Sequence, residues 1–140
     1  MNCMITAKGW GAVGAGGYRD RVPPRRRTDP ALGRAALRRA LAADPPDRAD
    51  ERDATRFLLE ELADRAPGRS VEVRVPPHGA VQCVAGPRHT RGTPASVVET
   101  EPSTWLLLAT GSVSWADAIE SGRLRASGER ADLSAYLPLV

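Results

Sequence analysis

Aromatic side chains and cysteines are scarce in this chain. Aromatic residues make up only 4% of its 140 residues, whereas 41% are hydrophobic overall. The core must therefore be built mainly from Ala, Val and Leu, which fill space by close approach, so we expect helices that pack tightly against a sheet. A chain of this length is expected to form one domain.

Two further absences limit the class of protein. The two cysteines, Cys3 and Cys83, are too few for a disulfide framework, which favours a reducing compartment. No segment approaches the roughly 18 consecutive apolar residues that span a bilayer. Lys8 and repeated glycines also interrupt the region where a signal peptide would be continuously apolar. We therefore expect a cytoplasmic protein without a transmembrane segment.

The basic charge is concentrated at the N-terminus. Residues 1–29 hold six basic and two acidic side chains, a net charge of +4, whereas residues 30–140 hold the other 14 basic and 15 acidic ones, a net charge of −1. Residues 1–28, rich in glycine and arginine, are expected to be a disordered basic leader ahead of a single domain over residues 29–140. The leader is interpreted as solvated. Contact with phosphates or with a membrane surface is the alternative, and no specific nucleic-acid partner is predicted.

Two N-terminal helices are predicted. Asp29-Pro30 is typical of an N-cap followed by proline at the first helical position, and the helix is expected to end near Ala43. A second helix is predicted over about residues 51–65. The apolar face of the first helix is predicted to hold Leu37, Ala40 and Leu41, and that of the second Ala54, Phe57, Leu58, Leu62 and Ala66.

The C-terminal third is expected to hold three helices. One begins at Pro102 and ends at Gly111, and the next begins with a capping box from Ser114 to Asp117 and ends at Gly122. The last begins near Ala131, with Leu133, Tyr136 and Leu137 on one face.

Alternating apolar residues predict strands over about residues 70–75, 80–85, 96–100 and 123–127. The whole is expected to be an α+β domain with a small, mostly antiparallel sheet of four to five strands, backed by helices on one side.

Three polar residues between Gly86 and Pro94 are candidates for anion binding: Arg88, His89 and Arg91. Two guanidinium groups and an imidazole on a loop framed by Gly and Pro are able to clamp a carboxylate or a phosphate. The alternative is that the two arginines pair with Glu99, Glu101 or helix C-termini and stiffen the loop.

No catalytic or metal site is predicted. Cys83 and His89 are the only candidate nucleophile and base, but Cys83 lies among alternating apolar residues, where a thiol is usually an inert small hydrophobic group. The histidines and Cys83 lack the spacing of metal ligands. No cofactor is expected.

Several segments resemble the sterol carrier protein family, and in particular its compact bacterial orthologue. The motifs that carry the resemblance are Val75–Cys83, Gly86–Pro94, Trp105–Gly111, Ser114–Ala118 and Arg130–Ser134. Together they place the similarity over about residues 52–140.

The resemblance implies a domain with an apolar tunnel between its sheet and its helices, which binds sterols, fatty acids or fatty acyl thioesters without chemistry. The tunnel walls implied in this chain are Trp105, Leu106, Leu108, Ile119, Leu133, Tyr136, Leu137 and Leu139. The alternative is that these residues form an ordinary core. The chain would then be an accessory domain that docks onto an enzymatic protein partner.

Overall fold

The computed structural model describes residues 26–86 and 96–140. Within them the elements follow in the order α1 (Pro30–Ala42), α2 (Arg48–Arg65), β1 (Val71–Val75), β2 (Gly79–Cys83), β3 (Ser96–Thr100), α3 (Pro102–Ala109), α4 (Trp115–Glu120), β4 (Leu124–Ser127) and a 3-10 turn (Ser134–Tyr136). This arrangement confirms the predicted α+β fold class. Residues 1–25 of the predicted leader lie outside the described residues.

Capping residues set the helix ends as the sequence predicts. The Asp29 side chain accepts a hydrogen bond from the backbone N–H of Ala31 at 2.8 Å, and proline follows at the first position of α1. The Ser114 hydroxyl accepts one from the N–H of Asp117 at 3.1 Å. Gly111, which follows α3, adopts a φ of +81°, a conformation that an L side chain rarely takes.

The four strands form one mixed sheet in the order β2-β1-β3-β4. The outer pairs, β1 with β2 and β3 with β4, are antiparallel, whereas the central pair of β1 with β3 is parallel. In β1 the three valines are buried beneath the helices, and Glu72 and Arg74 lie on the opposite face. The helices therefore cover one side of the sheet, as expected from the alternation.

Helix α2 supplies the centre of the core. It packs against α1, β2 and α3, and its buried apolar residues are Ala54, Phe57, Leu58, Leu59, Leu62 and Ala63. On α1 the predicted buried face is right for Leu37 and Ala40 but wrong for Leu41, which is 47% exposed. The inward side of α1 instead includes Gly33 and Ala36.

The predicted final helix from about Ala131 is wrong, because only the turn Ser134–Tyr136 is helical. Pro138 lacks a backbone N–H and restricts the preceding residue, so a helix does not continue through it. The chain end runs instead against α3, where the N–H of Leu139 donates to the carbonyl of Ala109 at 2.8 Å. Arg65 donates to the carbonyls of Pro138 and Leu139 at 2.9 and 2.7 Å and fixes this end to α2.

We predict that Gly33→Ala destabilises the domain. A Cβ at this position would lie 2.4 Å from Cγ of Phe57, a distance that forces the helices apart. Such overpacking costs about 1–3 kcal/mol, which outweighs the gain of about 1 kcal/mol that alanine normally brings to a helix. Urea unfolding should show a lower free energy of unfolding.

Ala35→Gly in the same helix is the control variant. It measures how much an exchange between alanine and glycine changes the free energy of unfolding through helix propensity alone. A Gly33→Ala protein more stable than the wild type would contradict the close packing of α1 on Phe57.

Candidate functional site: the groove between α2 and β2

An open groove of about 1450 Å³ lies between α2 and the edge strand β2. Its helix side includes Asp53, Arg56, Leu59 and Glu60, and its strand side includes residues 79–82. The segment of residues 26–29, here called the strap, Leu32 of α1, and Gly68, Arg69 and His78 complete the lining. The groove thus lies over the contact between α2 and the edge strand.

The groove has apolar side chains at its base and on one wall. Leu59 is only 2% exposed, and Val81 is half-buried against the core. A Cβ built on Gly79 would lie 3.4 Å from Cδ1 of Leu59, so the strand approaches the helix closely here. Leu32, in contrast, is 69% exposed and has an apolar surface available to a ligand.

Charged groups surround this apolar base. The Nε of Arg56 donates to the carbonyl of His78 at 2.9 Å. Glu60 accepts hydrogen bonds from the backbone N–H groups of Arg27 and Thr28 at 3.3 and 3.1 Å. Among the described residues, neither the Arg27 nor the Arg69 guanidinium has a carboxylate partner, so the rim of the groove has uncommitted positive charge.

The strap is held to α2 by an acidic strip on that helix. Arg26 forms ion pairs with Glu61 and Asp64, and its guanidinium lies 6.0 Å from the centroid of the Phe57 ring. Together with the bonds to Glu60, these contacts fix the strap along the helix. The outer wall of the groove therefore depends on charge pairing as well as on packing.

A second depression of about 510 Å³ adjoins the groove, and Arg56 and His78 line both. His78 is 7% exposed, and its Nε2 lies 3.1 Å from Oε2 of Glu51. Arg48 and Arg52 are also part of the lining. The two spaces therefore meet at Arg56 and His78, and arginine side chains line both of them.

The residues implied as tunnel walls lie elsewhere. Trp105, Leu106, Leu108, Leu133 and Leu139 are buried, each at 3% exposure or less, while Tyr136 and Leu137 pack at the edge of the core. Ile119 is at the surface, 40% exposed. None of these residues lines either depression, and their role in holding a ligand stays a prediction.

The candidate anion-binding residues Arg88, His89 and Arg91 lie outside the described residues. The arginines that the structure brings together, Arg48, Arg52 and Arg56, were not singled out from the sequence. Their spacing of four residues could have predicted this cluster from the sequence, because residues four apart lie on one side of a helix.

Cys83 has the environment of an inert thiol. Its side chain is fully buried in the core, and this burial raises the thiol pKa from about 9 to about 12.

In the part of the chain that the structure describes, no group of three potential ligands could hold a metal ion. No described helix is long and apolar enough to cross a membrane.

Comparison with known proteins agrees with the fold. The family model described as bacterial SCP ortholog matches residues 47–139. Because this match spans well over half of the chain, the chain belongs to this family of sterol-carrier-like domains, which is typically one of non-catalytic carriers. No curated protein matches the chain. Helix α1 and the strap precede the matched residues.

We predict that Cys83 resists alkylation in the folded protein. Near pH 8.5, the ordinary pKa of a thiol, a group with a pKa of about 12 stays protonated and is also inaccessible. Iodoacetamide should modify Cys83 only after unfolding in urea, as followed by peptide mass spectrometry, which separates it from Cys3. Rapid modification under native conditions would contradict the burial.

The same shift predicts a pH dependence of stability. The unfolded chain releases the thiol proton near pH 9, whereas the folded protein retains it up to about 12. Since the folded state then binds more protons, this contribution to stability decreases as the pH rises through that range.

Proposed function

We propose that this chain is a non-catalytic carrier-type domain that binds an amphipathic, fatty acyl-type ligand in the groove between α2 and β2. The observation that carries the proposal is the composition of the groove. Apolar side chains of Leu32 and Val81 lie beside a rim that includes Arg27, Arg56 and Arg69 as well as the acidic Asp29, Asp53 and Glu60. Such a surface suits a molecule with an apolar tail and an anionic head.

The size of the groove and the family support this proposal. Its volume of about 1450 Å³, part of which is open to solvent, exceeds the roughly 300–1,000 Å³ of typical sites for drug-sized ligands. Membership in a family of sterol-carrier-like domains favours a lipid-type ligand. Because the groove is open, the ligand would exchange with solvent at one side while its tail contacts Leu32 and Val81.

The proposal also holds that the domain does not catalyse a reaction. Among the described residues, the buried Cys83 thiol is held protonated, and the His78 imidazole is engaged with Glu51 away from any nucleophile. Neither arrangement provides the activated nucleophile and base that covalent catalysis requires.

A second function is favoured by a different observation. Trp105, Leu106, Leu108 and Leu133 fill the interior, each at 3% exposure or less, so these walls leave little room for a ligand among them. This packing favours an accessory domain that docks onto an enzymatic protein partner. Native mass spectrometry of the gently purified protein discriminates the two, because a carrier retains a small amphiphile and a docking domain does not.

We predict that Leu32→Asp weakens binding of decanoate by about tenfold. Leu32 is exposed and lines the groove, so the substitution places a negative charge and removes an apolar contact where the ligand would lie. Loss of one apolar side-chain contact of about 1.5 kcal/mol corresponds to this factor. Isothermal titration calorimetry measures the affinity.

Leu41→Asp is the matched control, because Leu41 is exposed on the same helix but does not line the groove. It should leave both the affinity and the thermal stability near those of the wild type. Equal effects of the two substitutions, or decanoate binding unaffected by Leu32→Asp, would place the ligand somewhere other than this groove.

A further inference from the structure

Three arginines follow one another along α2 at intervals of four residues. At about 100° per residue, the positions of Arg48, Arg52 and Arg56 span only about 80° of the helix circumference. All three line the same depression of about 510 Å³, together with Pro77 and His78. All three side chains thus border one small region of the surface.

This arrangement opposes the stability of the helix. Like charges four residues apart repel each other, and Arg48 is the first residue of α2, where the helix dipole favours negative charge. Asp50 and Glu51 in the first turn and Asp47 at the N-cap offset the effect of Arg48 on the helix dipole, which leaves the repulsion between neighbouring arginines. Local conflicts of this kind are expected at functional sites.

Ion pairs with carboxylates of the described residues do not explain why three arginines lie together here. Within residues 26–86 and 96–140, Arg48 has no ion pair, and Arg56 uses only its Nε, which donates to the carbonyl of His78. Arg52 pairs with Asp53 at 3.0 Å, but both side chains are almost half exposed, and exposed pairs contribute little. Most of the guanidinium N–H groups are therefore available to a ligand.

The wall of the depression is fixed. His78 is buried, its ring is held by Glu51, and its carbonyl orients Arg56 at 2.9 Å. Asp47 also lines the depression, with one carboxylate oxygen accepting from the N–H of Ala49 at 3.2 Å. With three arginines against this one acidic residue, the lining has an excess of positive charge.

We propose that Arg48, Arg52 and Arg56 form a binding site for a phosphate monoester. A phosphate monoester carries a charge of about −1.5 to −2 at neutral pH and offers three acceptor oxygens. Guanidinium groups match these oxygens with paired hydrogen bonds. A carboxylate head, with one charge and two oxygens, would use this site less completely.

The site adjoins the apolar groove through Arg56 and His78. A ligand whose tail lies in the groove would therefore present its phosphate to the arginines, and in this respect the proposal rests on the proposed function. The phosphate could equally belong to a lipid headgroup or to a water-soluble ester, which share the same chemistry. Probes with and without a tail distinguish these sources.

The test compares three probes on the full chain by isothermal titration calorimetry: decyl phosphate, decanoate and glycerol 3-phosphate. Decyl phosphate and decanoate have similar tails and differ in the head, so we expect decyl phosphate to bind about tenfold more tightly through its additional charge-assisted hydrogen bonds. Arg48→Gln with Arg52→Gln should remove this preference, because it weakens the binding of decyl phosphate more than the binding of decanoate. Arg123→Gln with Arg125→Gln, an exposed pair of positions at β4, makes the same charge change away from the site and should retain the preference.

Each outcome separates the phosphate site from the proposed function. Equal affinities for decyl phosphate and decanoate would overturn the phosphate site and leave tail binding intact. The same loss of preference in both double variants would overturn it too, because the effect would then be one of net charge. Binding of glycerol 3-phosphate that requires Arg48 and Arg52, without any gain from a tail, would support the site and contradict the groove function. Failure of all three probes to bind would overturn both.

Discussion

The packing of α2 between α1 and the sheet is the constraint on which the rest of this structure depends. Its buried residues cover about two thirds of the helix circumference, far more than a surface helix that buries a single stripe. Phe57 faces α1 closely enough that Gly33 has no space for a side chain, and Leu59 reaches the edge of β2. The remaining face of the helix holds Asp53, Arg56, Glu60 and Asp64, and both depressions lie alongside it.

The charged residues of α2 differ in how far they are paired with other parts of the protein. The C-terminal half presents Glu60, Glu61 and Asp64, which hold the strap through Arg26 and the backbone of residues 27 and 28. The N-terminal half presents the arginines, which have few internal partners among the described residues. Among the described residues, Glu60, Glu61 and Asp64 are thus engaged in internal hydrogen bonds and ion pairs. In the same part of the chain, Arg48 and Arg56 have no carboxylate partner and can interact with another molecule. This asymmetry, more than the net charge of the chain, favours an anionic ligand.

Local chemistry predicts much of this fold. The caps at Asp29 and Ser114 and the alternating valines of β1 identify the elements because each signal acts within a few residues. The parallel pairing of β1 with β3 depends on contacts between distant segments, and no local pattern encodes it. The prediction that Leu41 is buried was wrong because tertiary packing decides which side of α1 faces inward. The prediction of a C-terminal helix was wrong because Pro138 ends the helical pattern. The groove also escaped prediction, since it exists only once α2 and β2 are brought together.

The close packing of the core determines which substitutions can reveal an effect on ligand affinity without an effect on stability. In a domain with an open internal tunnel, the side chains that touch a ligand also support the fold, so their substitution affects both. Here Trp105 is buried, and its indole N–H lies 3.4 Å from the carbonyl of Thr55 on α2, so its removal would act on stability first. Leu32 and Arg48 are exposed and make few internal contacts. If the ligand lies in the groove, as proposed, binding and stability are separable in this chain, and a substitution that alters affinity without altering stability identifies a residue at the site.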